Sequence, residues 1–319
     1  MHEFELIKKF FSKLSISNKS SLNLNDDVFF DKKRSLVISI DTYNEGVHFL
    51  NFKKPDLVIK KILRSSISDL ICKGVFPKYY FISACGNKKT FTKKNLSKIS
   101  NSLKQEQNKY GILLCGGDTT FSNKLSFSIT SVGFSKNIVF RNKAKLNDDI
   151  YVTGNLGDSF VGLKVLQNKI NSTKNLENYF VKKYFEPDIQ IKLTNDLLKF
   201  ANTSIDISDG LIDDLKKMIN QQKLSYKIWE EKIPISRKLS ALLKKNDLRK
   251  SNFISNGDDY QILFTASVNR SRIIESASKK LGVKISKIGK ISQKNEKSAL
   301  INKKGQHLLV KSPGYKHQF

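Results

Sequence analysis

The chain has 319 residues, 39% of them apolar, and carries 57 Lys plus Arg against 29 Asp plus Glu, a formal charge of +28. Apolar residues in periodic runs exclude a disordered chain. No stretch reaches the roughly 18 apolar residues that span a bilayer, so neither a membrane span nor a signal peptide is expected. Only seven of the cations are Arg, and Lys is scattered from Lys8 to Lys316 without an arm or stripe. The charge therefore reads as a solvated surface shaped by AT-rich coding, and not as a nucleic-acid-binding face. Cys72, Cys85 and Cys115 are odd in number and lack paired spacing, as expected of buried thiols in a reducing, cytoplasmic setting.

In chain order, Phe4, Ile7, Phe10, Phe11 and Leu14 recur at helical spacing and predict an amphipathic helix over 3–14. A strand at 36–40 ends in Asp41, and a helix over 56–73, opened by Pro55 and closed by Gly74, buries Leu57, Ile62, Leu63, Ile67, Leu70 and Ile71. A strand at 79–84, a polar helix at 93–110, a strand at 112–115 running into Gly116-Gly117-Asp118, and a strand at 125–134 complete the first half. The Lys-rich stretch 135–149 suits a boundary, giving domains 1–140 and 141–319. The second half opens with a strand at 150–153, the turn Gly154-Asn155-Leu156-Gly157 and a helix from Asp158. Helices at 188–200 and 211–221 flank a strand at 203–207, and strands at 226–229, 260–265 and 284–291 alternate with further helices. The fold class is α+β, with two mixed α/β domains. Ile67-Ser68-Asp69-Leu70 and Ile207-Ser208-Asp209-Gly210-Leu211 echo each other, but are too short to establish a duplication.

Carboxylates are scarce but clustered where loops begin. No Gly-rich P-loop and no dinucleotide fingerprint occur, so any nucleotide must be held another way. Asp is a hard oxygen ligand, and Mg²⁺ binds through a few carboxylates, waters and substrate phosphates. Asp26, Asp27, Asp41, Asp69, Asp118, Asp206 and Asp209 suit that role as a set, although each alone reads more readily as a helix cap or turn residue. Gly116-Gly117-Asp118-Thr119 reads as a tight turn that lets backbone approach a phosphate, or as a plain hairpin turn. Gly154-x-x-Gly157 could offer N–H groups to an anion, with a simple capped turn as the plainer reading. Of His2, His48, His307 and His317, only His48 lies beside these motifs, and no zinc-ligand spacing or GxSxG elbow appears.

Ten short motifs in one order resemble the thiamine-monophosphate kinase family, which shares the fold of aminoimidazole ribonucleotide synthetase. They run from Glu3-Phe4-Glu5-Leu6-Ile7 through Asp26-Asp27, Ser39-Ile40-Asp41, Asn44 to Phe49, Ser68-Asp69, Gly116-Gly117-Asp118-Thr119, Val152 to Ser159, Asp206 to Leu211 and Gly257 to Tyr260, ending at Gly314-Tyr315. The resemblance implies ATP-dependent phosphorylation of thiamine phosphate to thiamine diphosphate by in-line transfer. It implies several Mg²⁺ ions, with K⁺ an optional addition, held by Asp27, Ser39, Ile40, Asp41, Asp69, Asp118, Asp206 and Asp209. ATP would be held by Gly117, Asp118, Arg141 and Ser208, and thiamine phosphate by His48, Asp258 and Tyr315, with Asp118 and Arg141 supporting transfer and no side chain acting as general base. It further implies a homodimer whose N-terminal domains pair through their sheets, with no nucleic-acid or membrane partner.

Three positions depart from the family pattern. Asn25 replaces a Gly, and as the non-glycine residue most tolerant of left-handed backbone it is expected to keep that turn. Ile40 replaces a Thr and leaves only a carbonyl for metal, and Asp258 replaces a Glu and shortens a substrate-facing side chain. Two alternatives stand beside this reading. One is another enzyme of the same superfamily, although the terminal Cys that some of those chemistries require is absent, the first Cys being Cys72 and the last Cys115. The other is a basic nucleic-acid-binding module, in which the Asp motifs would be mere caps.

Overall fold

The computed structural model describes residues 3–310 and 314–315. Two sheets, one in each half, organise it. Strands β1 (Phe29–Asp31), β2 (Leu36–Asn44), β3 (Pro77–Gly86), β4 (Leu113–Phe121) and β5 (Ser126–Phe134) form the first, in the order β1-β2-β5-β3-β4. Its pairs are antiparallel except β3 with β4, which run parallel. The second, ordered β12-β11-β8-β10-β6-β9-β7, is built from β6 (Asp149–Thr153), β7 (Thr203–Asp206), β8 (Leu224–Trp229), β9 (Ile262–Ala266), β10 (Ile285–Gln293), β11 (Ala299–Ile301) and β12 (His307–Leu308). The helices are α1 (Glu3–Leu6), α2 (Pro55–Cys72), α3 (Lys93–Tyr110), α4 (Asp158–Leu166), α5 (Lys174–Phe185), α6 (Thr194–Phe200), α7 (Leu211–Met218), α8 (Arg237–Lys245), α9 (Ser251–Ile254) and α10 (Ser271–Leu281).

Helix α2 is the pivot. Pro55 starts it without losing a hydrogen bond, and the left-handed Gly74 follows its end. It packs on β2 and β5 of the first sheet and also meets α3, α5 and β7, so it is covered on nearly every side. Val58, Ile59, Ile62, Leu63, Ile67, Leu70 and Ile71 are buried, each contributing about 1.5–3 kcal/mol. Its polar residues are buried too and must be paired. Arg64 donates to both carboxylate oxygens of Glu106 on α3, at 2.7 and 2.8 Å, and to the Pro187 carbonyl at 3.2 Å, tying the N-terminal half to the segment after α5.

Among the described residues, no helix packs on the other face of the first sheet. Strand β5 alternates buried and half-exposed residues, and Ile40, Phe81, Leu113 and Phe134 lie 69%, 41%, 51% and 53% exposed.

Several expectations need correction. The predicted N-terminal helix changes pitch, from α1 to a π turn over Ile7–Phe11 and a 3₁₀ turn over Ser12–Ser15. Strand β2 continues past Ile40, so Asp41 lies within a strand. Gly116-Gly117-Asp118-Thr119 is not a turn but part of β4, with a register shift beside Gly116. Gly117 is needed there because a Cβ would sit 1.8 Å from the Ile82 carbonyl oxygen. Strand β9 starts at Ile262, since Gly257, Asp258 and Tyr260 have positive φ. Asn25 has φ −129° and is not left-handed; Leu22, Asn23 and Leu24 take that conformation instead, and Asn25 pairs reciprocally with the Asn220 amide at 2.9 and 3.0 Å. Of the three thiols only Cys72 is buried, and Cys115 is exposed. His2 and His317 lie outside the described residues.

Candidate active site

Between the two halves lies a cleft of about 980 Å³. At one part of it, carboxylate oxygens of Asp27, Asp69 and Asp206 lie within 4.8 Å of one another. They come from three separate segments: Asp27 from the loop before β1, Asp69 from inside α2, and Asp206 from the end of β7. Burial, together with the negative charges of Asp41 and Asp206, holds the Asp69 carboxyl well above the usual carboxylate range. Burial likewise raises Asp206, against the hydrogen bond it accepts from Ser68 at 2.5 Å. Like charges crowded in a low-dielectric site call for cations. Three hard oxygen donors gathered this closely suit a cation such as Mg²⁺.

Three cationic side chains already pair with these carboxylates, Arg141 and Lys217 from the cleft lining and Lys73 from behind it. Arg141 donates from Nε to Asp27 at 3.2 Å and from Nη2 to its other oxygen, while the Arg141 backbone N–H reaches Asp26 at 2.9 Å. Lys73, fully buried, lies 2.8 Å from Asp26 and 2.5 Å from Asp27. Lys217 pairs with Asp209 and stands 3.5 and 3.4 Å from Asp213 and Asp214. Asp214 accepts the backbone N–H groups of Asp209 and Gly210 at 3.0 and 2.9 Å, and burial raises its pKa to about 7.

The cleft continues past Asp41, whose carboxylate accepts the Tyr43 hydroxyl at 3.1 Å, to His48. The backbone N–H of Asn44 donates to His48 Nδ1 at 3.0 Å, and the Tyr43 ring packs edge-on against the imidazole. Asp258 lies in the same cleft, 2.8 Å from the buried Lys61 ammonium and accepting the Tyr260 hydroxyl at 3.0 Å. Lys61 in turn sits 3.6 Å over the Tyr184 ring. The shortened carboxylate of Asp258 is thus held by α2 and a tyrosine. Tyr315 also lines the cleft, with its backbone N–H donating to the Asp209 carbonyl at 3.1 Å.

The structure gathers Asp27, Ile40, Asp41, Asp69, Arg141, Asp206, Ser208, Asp209, His48, Asp258 and Tyr315 around one cleft. It does not bring Gly117, Asp118 or Ser39 to the lining. Ser39 is buried, with its hydroxyl 3.4 Å from the Ser66 carbonyl oxygen. Asp118 stands in one cross-strand row with Ser83, Ser128 and Thr42. Three strand spacings, about 14 Å, separate it from Thr42 at the cleft edge. The Gly154 to Gly157 turn binds no external anion through Gly157, whose N–H is taken by the buried Asp259 carboxylate at 2.9 and 3.1 Å. Nor do the two Ser-Asp segments occupy equivalent places, one lying within α2 and the other in the loop before α7.

Sequence reasoning missed Lys73, Lys217 and Asp214, and the face of α4 that presents Phe160, Leu163, Lys164 and Gln167 to the cleft. The 160, 163/164, 167 spacing is helical and legible, but nothing in it announces a ligand.

Residues 25–135 match the AIR synthase related protein, N-terminal domain, family. The chain is 34% identical over 327 residues to the thiamine-monophosphate kinase of Buchnera aphidicola from Schizaphis graminum, covering 99% of this chain and 98% of that one. It is 32% identical to the thiamine-monophosphate kinase of Haemophilus influenzae, covering 92% and 90%. Among solved structures, AaThiL complexed with AMPPCP and TMP superposes with a TM-score of 0.85 at 28% identity, covering 99% of this chain and 97% of that one. The hydrogenase maturation protein HypE of E. coli, at 17% identity and a TM-score of 0.66 over 86% and 85% of the two chains, shares the fold alone.

Proposed function

The chain belongs to the thiamine-monophosphate kinase family, and from that we propose that it transfers the γ-phosphoryl group of ATP to thiamine phosphate, yielding thiamine diphosphate. The observation that carries this reading is the convergence of Asp27, Asp69 and Asp206 in one cleft, in a fold similar to an enzyme solved with AMPPCP and TMP. Mg²⁺ held by Asp27, Asp41, Asp69, Asp206 and Asp209 would supply neutralisation of the phosphate charge during transfer.

The acceptor is a phosphomonoester, whose second pKa of about 6 leaves it largely dianionic at pH 7. No group of the chain has to remove a proton from it. With Nδ1 occupied as acceptor of the Asn44 N–H, the neutral imidazole of His48 carries its proton on Nε2. It can therefore donate a hydrogen bond to an anionic substrate, and not act there as a base. Arg141 spends Nε and Nη2 on Asp27, leaving Nη1 for a phosphate oxygen. Ser208, Asp258 and Tyr315 complete the proposed ligand contacts, in a cytoplasmic enzyme with domains 1–140 and 141–319. What supports that division is that the two sheets lie on either side of it.

A homodimer is part of the proposal. Its support is the open face of the first sheet, where Phe81 stands exposed in the row next to that of Asp118 and Leu113 in the row beyond. Exposed apolar side chains on a sheet face favour a covering partner, and a second copy covering it would give Asp118 a site to serve.

The test is ADP release with thiamine phosphate and ATP, in the wild type and in Asp69→Asn. The proposal stands if thiamine phosphate stimulates ADP release and the variant loses it. It fails if thiamine phosphate gives no stimulation.

A further inference from the structure

Lys73 follows the last turn of α2 and is 0% exposed. Its ammonium meets Asp26 at 2.8 Å and Asp27 at 2.5 Å and donates to the Ser204 carbonyl at 2.8 Å. An ammonium has three donors, so all three are used within the protein and none remains for a nucleotide. A buried ammonium with its stem held in this way is costly to move. Lys217, which pairs with Asp209 at the other side of Asp206, is by contrast 16% exposed and can swing towards solvent.

The place Lys73 occupies is that of a cation bridging two carboxylates. An ion 2.0–2.1 Å from oxygens of both Asp26 and Asp27 could not share that corner with the ammonium. The remaining oxygen positions around Asp26 are also taken, by the backbone N–H groups of Asp27 at 2.8 Å and Arg141 at 2.9 Å. On the opposite side, Asp69 makes no ion pair among the described residues, and its carboxylate stands with those of Asp27 and Asp206, oxygens within 4.8 Å of one another.

Resting on the reading that this site holds divalent ions, we propose that Lys73 is a resident cation of the acidic cluster. It stands where a divalent ion bridging Asp26 and Asp27 would bind, so that exchangeable ions are held only on the Asp69 and Asp206 side of Asp27. Lys73 is then a positioning residue: it fixes the Asp27 carboxylate and sets how many metal ions the chain takes.

The experiment counts Mn²⁺ bound to the full-length protein in the presence of a non-hydrolysable ATP analogue, by the electron paramagnetic resonance signal of free Mn²⁺. Melting temperatures with and without Mg²⁺ are measured in parallel. Lys73→Met is expected to bind one Mn²⁺ more per chain than the wild type, to melt lower than the wild type without divalent ions, and to recover more of its melting temperature on adding Mg²⁺. Lys73→Arg, which keeps the charge, should retain the wild-type count. An unchanged Mn²⁺ count together with an unchanged Mg²⁺ response in Lys73→Met overturns the proposal while leaving the kinase reading intact. A wild type that binds no Mn²⁺ at all removes the metal reading and this proposal together. Should Lys73→Met fail to fold even with Mg²⁺, Lys73→Gln, which removes the charge but keeps a donor for the Ser204 carbonyl and leaves both carboxylates in place, is judged by the same two outcomes.

Discussion

His48 accepts a hydrogen bond at Nδ1 from the backbone N–H of Asn44, four residues earlier, at 3.0 Å. A main-chain donor cannot be switched off by titration, so the imidazole that accepts from it is the Nε2–H tautomer. Nε2 is then a donor, whose expected role is to position a phosphate.

His48→Ala should therefore raise KM for thiamine phosphate and lower turnover moderately. The acidic limb of the rate profile should persist in the variant, because it belongs to the second ionisation of the substrate phosphate, near 6. Loss of that limb with a drop of about 10²–10⁴-fold, typical of a missing acid–base catalyst, would make His48 the base.

Asp69→Asn removes one of the three carboxylates that meet in the cleft. Turnover should fall by on the order of 10³-fold, the scale of losing a main electrostatic element, and Mn²⁺ affinity should fall with it. An unchanged circular dichroism spectrum and melting temperature would confine the effect to the site. Near-normal activity would remove Asp69 from the metal-holding set.

The pH dependence of stability follows from Asp214. Burial raises its folded pKa from the ordinary 3.8 to about 7, so folding favours the protonated form. That contribution is full below pH 4 and is lost as the pH rises through 7. The metal-free protein should accordingly melt at a lower temperature at pH 8 than at pH 5. Asp214→Asn should lessen the difference, since its amide oxygen can still accept from Asp209 and Gly210. An identical pH slope in the variant would assign the effect to other groups.

Arg64 should be the costliest single truncation in α2. Removing it in Arg64→Met leaves Glu106, which is 2% exposed, as an uncompensated buried carboxylate, at about 3–5 kcal/mol. Arg64→Met/Glu106→Leu should recover most of that loss in a denaturant titration. No recovery would show that the Pro187 contact, and not the ion pair, carries the stability.

The strongest periodic signals were legible before the structure. α2 and α3 begin and end within a residue of their sequence readings because Pro55, Thr92 and the left-handed Gly74 and Gly111 punctuate them. The carboxylates of the cleft were legible as a set, since acid is rare in so basic a chain. Strand β4 was not. A Gly-Gly-Asp triplet reads as a turn by local propensity, whereas its glycine serves a close approach to the β3 backbone, a tertiary fact that local sequence does not carry. Lys73 and Lys217 were invisible for a different reason: among 57 Lys and Arg residues, nothing local distinguishes a buried ammonium from a solvated one.

The last prediction concerns Asp118, which lines no part of the cleft although its sequence motif matches the rest of the site. It lies on edge strand β4, where every residue is exposed, and it shares the outer face of the sheet with Phe81. An exposed edge beside an apolar face invites pairing with another chain, and a second copy would bury both. Phe81→Glu should then shift the protein from dimer to monomer in analytical ultracentrifugation and leave its circular dichroism spectrum unchanged. Turnover should fall with the dimer fraction and recover at high protein concentration, because Asp118 would act only across the pair. Asp118→Asn, by contrast, should lose turnover at every concentration while remaining dimeric. A wild type that sediments as a monomer at full activity would detach Asp118 from the chemistry and leave the site to one chain alone.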